Sequence, residues 1–291
     1  MTGPSASLES LRRDIDAIDD EIHDLLMRRT EVVERIGALK NQTESDVFIR
    51  PAREAEIMRR LIDRHRGRFP ASVVVRLWRE VLAATSRLQG PFSVAVHAPE
   101  KSVGYWDLAR DHFGSGTKMT LHRLSAPVIR AVVDGTATVG VLPFPQSDDG
   151  DPWWPSLIAT GERMPRVIAR LPFIDNDDGR FEPVNALAIA RTDPGETGND
   201  VSLVAVEASA GISRASLKQA FDSADVPAND IAVWRESDTA GARFHLIEVA
   251  DYVTPDDPRL DAVAEDAGDQ IVRVIGLGGY AAPLARPIGG G

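Results

Sequence analysis

Residues 8–39 read LESLRRDIDAIDDEIHDLLMRRTEVVERIGAL, and their apolar positions fall on two interleaved seven-residue series. Leu11, Ile18, Leu25, Val32 and Leu39 form one; Leu8, Ile15, Ile22 and Ile36 form the other. This is the a/d seam of a long helix, N-capped by Ser7 and running ~50 Å at about 1.5 Å per residue. Two shorter helices follow. Pro51 suits the first turn of one over residues 51–66, and Pro70 the first turn of another over residues 70–88, with a stripe of Val74, Leu77, Trp78, Val81 and Leu82 that Thr85 and Gln89 extend. Two short helices cannot cover so long a seam, so a helical dimer is expected.

The second series lacks one apolar member, at Arg29. A guanidinium on a buried stripe costs several kcal/mol unless an anion pairs with it. That anion is either internal, such as Glu54, or a ligand. Lys40 lies eleven residues on, roughly 16 Å along nearly the same face, so two long cationic side chains could hold a small dianion between them. Arg12, roughly 25 Å before Arg29, cannot reach that ligand from the same helix. In an antiparallel dimer the partner's copy of that arginine could.

Composition separates this module from the rest. The 291 residues carry 33 Lys and Arg against 44 Asp and Glu, a net charge of −11. Residues 1–90 hold 16 of the former and 15 of the latter, about +1, which leaves −12 for residues 91–291. Only 3 of 19 prolines and 4 of 23 glycines fall in this first part, which places a boundary at Gln89-Gly90-Pro91. An acidic chain lacks the basic face of a nucleic-acid binder. With no cysteine, disulfides, zinc ribbons and thiol nucleophiles are excluded. No apolar run approaches the ~20 residues that cross a bilayer, and MTGPSASLESLRRDID lacks a signal-peptide core, so a cytoplasmic protein off the membrane is expected. The six histidines show no ligand spacing, and SDDGD and DNDDG lack the closing glutamate of a calcium loop, so neither metal nor cofactor is expected.

The runs SLRRDIDAIDDEIHDLLMRRTEVVERIGALK, RPAREAEIMRRLI and WREVLAATSRLQ resemble the all-helical chorismate mutases, whose three-helix chains intertwine as dimers with shared active sites. By that resemblance Arg12 of one chain and Arg29 of the other bind the two carboxylates of chorismate. Lys40 and Gln89 flank the ether oxygen of the breaking bond. Arg53 is a further arginine of the site, Glu54 takes the substrate hydroxyl, and Thr85 lines the pocket. Four residues before the glutamate the family often has an aspartate; this chain has Arg50.

After Pro91 short alternating segments take over. FSVAVHA, KMTLHRL, TVGVLPF, RVIARLPFI and NALAIAR read as strands, with helices near 102–113 and 126–135, an α/β layer over residues 91–195. The order, with GVLPFPQS, resembles a prephenate dehydratase domain reduced to one lobe, with Asn185-Ala186-Leu187 where that family has its catalytic Thr-Arg-Phe. No dehydratase activity is therefore expected. Residues 196–291 read β-α-β-β-α-β, the ferredoxin-like order. They resemble the ACT domain, an amino-acid sensor, whose ligand loop would fall at Gly211 and Ile212 and whose second ligand strand includes Arg235. GLGGY ends a strand with no helix after it, so a phosphate cradle is not expected there. The leading expectation is a dimeric chorismate mutase of aromatic amino-acid biosynthesis. The alternatives are a non-catalytic amino-acid-sensing regulator assembled through the helices, and a bifunctional mutase and dehydratase.

Overall fold

The computed structural model describes residues 7–40, 49–99, 104–147, 149, 151–159, 161, 164–174, 184–235 and 242–284. Lys40 and Arg235 are described by their backbone alone. The chain opens with α1 (Leu8–Lys40), α2 (Pro51–Arg64) and α3 (Ala71–Gln89). The Ser7 hydroxyl accepts from the Ser10 N–H at 3.1 Å, so the expected cap is present. Pro51 occupies the first turn of α2, where its missing N–H costs nothing.

The stripe read on α3 needs correction. Leu77 is 51% exposed, and the buried residues are Val75, Arg79, Leu82, Ala83 and Thr85. The face that α3 buries is rotated from the expected one because α3 lies between two neighbours. One is α1; the other is the α/β lobe, whose Phe173 and Ile174 pack with Ala55, Met58, Val75 and Leu82. Polar contacts fix that second junction. Glu80 accepts from the Ser115 N–H at 2.7 Å, and Arg87 donates to Thr117 Oγ1 at 2.9 Å. On α2, Arg59 donates to Thr197 Oγ1 and to the carbonyls of Asn199 and Ala282.

The lobe comprises β1 (Ser93–His97), α4 (Gly104–Phe113), β2 (Lys118–His122), α5 (Ser125–Val133), β3 (Val139–Pro143), β4 (Arg166–Leu171) and β5 (Ala186–Ala190). Then come β6 (Asp200–Ser209), α6 (Arg214–Ser223), β7 (Ala228–Arg235), β8 (Ala242–Val249), α7 (Pro258–Asp266) and β9 (Ile271–Ala281). All nine strands join one sheet in the order β2-β1-β3-β5-β4-β9-β6-β8-β7. The order β9-β6-β8-β7 is the ferredoxin-like arrangement expected for the last four strands. Strand β5 pairs antiparallel with both β3 and β4, so β4 and β5 are adjacent, and residues 172–185 join them.

The sheet has a core on each face. In the lobe, Leu187 and Ile189 point to the side of α5, whereas Ala186, Ala188 and Ala190 point to the side of α4, the period-two alternation of a strand. In the ferredoxin-like part, α6 and α7 cover one face with Leu217, Phe221 and Leu260. The other face is covered from the lobe, where Trp153, Trp154 and Leu157 pack with Leu203, Leu246 and Tyr280. DPWWP is thus a packed loop, as its composition implies.

The glycines of GLGGY are explained by the sheet and not by a ligand. Strand β9 passes between β4 and β6. Gly278 has φ +101°, and a Cβ there would lie 2.4 Å from the Val167 carbonyl oxygen. A Cβ on Gly279 would lie 2.5 Å from the Val201 carbonyl oxygen. Only glycine permits two strands to approach on both sides at that kink. No described helix is long and apolar enough to cross a membrane.

Candidate active site

The expected site residues divide into three groups. The first gathers where α1 meets α3. Arg29 Nη1 lies 3.5 Å from Thr85 Oγ1, and the Thr85 hydroxyl is itself held by donation to the Val81 and Leu82 carbonyls. A Cβ on Gly37 would sit 3.7 Å from Cγ of Gln89, so two turns beyond Arg29 the helix passes close to Gln89 as well. Thr85 is buried, and Arg29 and Gln89 are half-buried. Burial lowers the Arg29 pKa from its ordinary value. Among the described residues its hydrogen-bond partner is a hydroxyl and not the carboxylate of Glu54. Lys40 ends the same helix one turn beyond Gly37; its side chain lies outside the described residues.

The second group is Glu54 and a residue that sequence reasoning missed, Arg79. Glu54 stands in the first turn of α2 and accepts from Arg79 Nη1 at 2.8 Å. The two side chains are 18% and 5% exposed. Burial raises the Glu54 carboxyl pKa, and the Arg79 charge works against that rise; burial likewise lowers Arg79. The Arg50 carbonyl accepts from the Glu54 N–H at 3.0 Å, and the Arg50 side chain is exposed. The signal for Arg79 lay in its spacing: Val75, Arg79, Leu82 and Ser86 fall at i, i+4, i+7 and i+11, one helix face.

The third group stands apart. Arg53 pairs with Glu56 at 2.8 Å, one helical turn on, and both are largely exposed. Arg12 is exposed on the N-terminal half of α1. Every apolar residue of the seam is open: Leu8, Leu11, Ile15, Ile18, Ile22, Leu25, Val32, Ile36 and Leu39 are 41–72% exposed, while Leu26 and Val33 beside it are half-buried.

In the C-terminal part, Gly211 lies in the turn after β6, exposed, with nothing within 4 Å of a Cβ built on it. Ile212, the next residue, is buried. Its side chain belongs to the core beneath α6, and its N–H donates to the Ser209 carbonyl at 3.2 Å. Arg235 closes β7, with its side chain outside the described residues. Of Asn185-Ala186-Leu187, the two apolar residues are fully buried, and the Asn185 carbonyl accepts from the Phe144 N–H.

Comparison with known proteins gives the following likenesses. A prephenate dehydratase from Streptococcus mutans aligns over 66% of this chain and 98% of its own, at 15% identity and a TM-score of 0.47. GqqA, described as a novel type of quorum quenching acylase, aligns over 65% of this chain and 95% of its own, at 16% identity and the same TM-score of 0.47. A bifunctional chorismate mutase/prephenate dehydratase from Pseudomonas aeruginosa is 31% identical over 147 residues, 49% of this chain. The match spans only 40% of that relative's length. The family model described as chorismate mutase type II matches residues 11–90, so the chain carries a chorismate mutase type II domain at its N-terminus.

Proposed function

We propose that the chain is a dimeric chorismate mutase that rearranges chorismate to prephenate. The observation that carries the reading is Arg29, a cation on an apolar seam, beside buried Thr85 and close to Gln89. Supporting it, the seam of α1 is bare over most of its length and calls for a second copy. That copy would bring its Arg12, exposed on α1, to the pocket. Sites shared in this way are consistent with a homodimer whose reaction takes place in the cytoplasm without metal or cofactor.

The chemistry needs orientation and charge placement, not a nucleophile. A C–O bond breaks while a C–C bond forms within one molecule, and no proton moves. Arginine forks on both carboxylates hold the chair-like conformer. Negative charge grows on the ether oxygen, so donors from Lys40 and Gln89 stabilise the transition state more than the ground state. Removing one such donor costs about 3–4 kcal/mol of barrier.

Incubation with chorismate tests this directly: prephenate must form. Arg12→Ala and Lys40→Ala should each abolish most activity, while re-associating the two inactive variants should restore roughly a quarter, since half the dimers are mixed and each has one intact site. No recovery after confirmed subunit exchange would count against shared sites. A second reading, that the chain also dehydrates prephenate, is favoured by the bifunctional name of the Pseudomonas relative. Against it stand Ala186 and Leu187, buried and without polar side chains where that chemistry is expected. Phenylpyruvate above the spontaneous background would establish it. Adding phenylalanine, tyrosine or tryptophan to the same assay tests regulation through the C-terminal region, and a response lost in Arg235→Ala would place the effector at β7.

A further inference from the structure

Arg79 has no assigned role, yet its guanidinium is the most deeply buried charge beside the candidate site. It is 4% exposed, bonded to Glu54, and its guanidinium carbon lies 5.3 Å from the centre of the Phe173 ring, which belongs to the α/β lobe. The same cavity is lined by His112 and Phe113 of α4 and by Arg170 of β4. Accepting the mutase reading, we infer that Arg79 is a positioning residue for Glu54, and that the lobe completes the mutase site by holding Arg79 in place through Phe173 and α4.

Three physical points carry this. A buried ion pair is a weak source of stability, because desolvating two charges offsets most of their attraction. What the pair does supply is a carboxylate fixed in position. Removing one partner leaves the other charge buried and uncompensated, at a cost of several kcal/mol, so Glu54 does not leave Arg79 to meet a substrate. Nor does it need to. A carboxylate offers about four lone pairs on two oxygens. Arg79 engages Oε2, and a substrate hydroxyl can donate to the other oxygen.

The second point concerns protonation. Burial alone favours the neutral acid, which would present a donor as well as an acceptor; the Arg79 charge opposes it. Among the described residues, the other titratable and charged groups lining the cavity are His112 and Arg170. His112 is held well below its usual range, first by burial and then by the Arg79 charge, so it is neutral at pH 7. Arg170 stacks on Phe144 at 4.6 Å and faces Glu248 at 3.8 Å. Arg79 is therefore the cation that opposes the rise of the Glu54 carboxyl. The third point is dimerisation: Arg79 faces the lobe and not the bare seam, so assembly through α1 does not require it.

The test uses the full chain and measures kcat/KM for chorismate across about pH 5 to 9, spanning the range in which a raised carboxyl titrates. Arg79→Met should lower kcat/KM at neutral pH by about 10- to 100-fold, the effect of one charge-assisted hydrogen bond, and should move the acid limb of the profile to higher pH. Combined with Glu54→Gln it should add nothing further, because the two residues act as a unit. Arg79→Lys should recover part of the loss, and Phe173→Leu should show a smaller loss with the acid limb shifted the same way. These two variants keep the charge and carry the test if Arg79→Met does not fold. An active wild type with unmoved kcat/KM and acid limb in the folded variants overturns the inference alone, as do losses that multiply with Glu54→Gln. A wild type that forms no prephenate overturns the mutase reading and this inference with it.

Discussion

Helix α1 and strand β5 are the two extremes of burial in this molecule. The helix places its seam of large apolar residues 41–72% exposed, whereas all five residues of the strand are fully buried. Both segments are apolar where they must be, but they bury that surface against different things. Strand β5 has β3 and β4 on its edges, α4 on one face and α5 on the other. Helix α1 meets α3 at Arg29 and Gly37. A strand inside a sheet is completed by its own chain; a long helix with a bare seam needs something outside the chain, and a copy of itself is the partner we propose.

The largest expected effect breaks the helix side of this comparison. Ile18→Glu with Ile22→Glu puts charges on the middle of the seam. The dimer should dissociate in analytical ultracentrifugation, and prephenate formation should fall by more than about 100-fold, since each site would lose the partner's Arg12. The sheet should survive, read by its own unfolding transition. A variant that remains dimeric would mean the seam is covered in another way.

Next comes the strand junction. Gly278→Ala forces a Cβ to within 2.4 Å of the Val167 carbonyl oxygen at φ +101°. A cost of about 3 kcal/mol or more is expected from the clash and the strained backbone, measured as a lower urea midpoint. Mutase activity per folded molecule should stay unchanged.

A matched pair of leucines sharpens the contrast. Leu187→Ala, in β5, should destabilise the chain by about 2–5 kcal/mol. Leu25→Ala, on the seam and 59% exposed, should change the unfolding of the separated chain little and weaken dimerisation instead. Equal effects on both quantities would erase the distinction between the two segments.

The smallest effect is a pH slope at the junction of the two regions. His112 is depressed in the fold, chiefly by burial, while in the unfolded chain it titrates near ~6.5. Its contribution is fully present above that pH. As pH falls below it the unfolded chain binds one more proton than the fold, so stability drops by about 1.4 kcal/mol per pH unit towards the lowered folded value. His112→Leu should flatten this part of the stability profile, measured by urea unfolding at a series of pH values.

Much of this was legible in the chain itself, because local signals and final environment agree there. The seven-residue series, Ser7 and Pro51 gave α1 and α2 because caps and periodicity act within a few residues. The βαββαβ order of the last part was readable because each element carries its own period and turn residues. The cations on the seam were visible for the opposite reason: Arg29 violates a pattern that its neighbours keep. Arg79 was missed because Arg76 and Glu80 beside it make that turn of α3 look like a charged surface. The burial of Ile212 was not legible because a loop position does not reveal whether its side chain turns towards the core.

Sequence therefore determined which segments are helix or strand, which residues break their own pattern, and that one apolar seam exceeds what the chain can cover. Those are consequences of spacing along the chain. Only the tertiary structure decided that the lobe and the ferredoxin-like part share one sheet, through the parallel pairing of Val167 with Gly278. It alone decided that Glu54 meets Arg79 against Phe173. Both are contacts between residues distant in sequence, and their energy comes from burial and close approach, which no local pattern encodes.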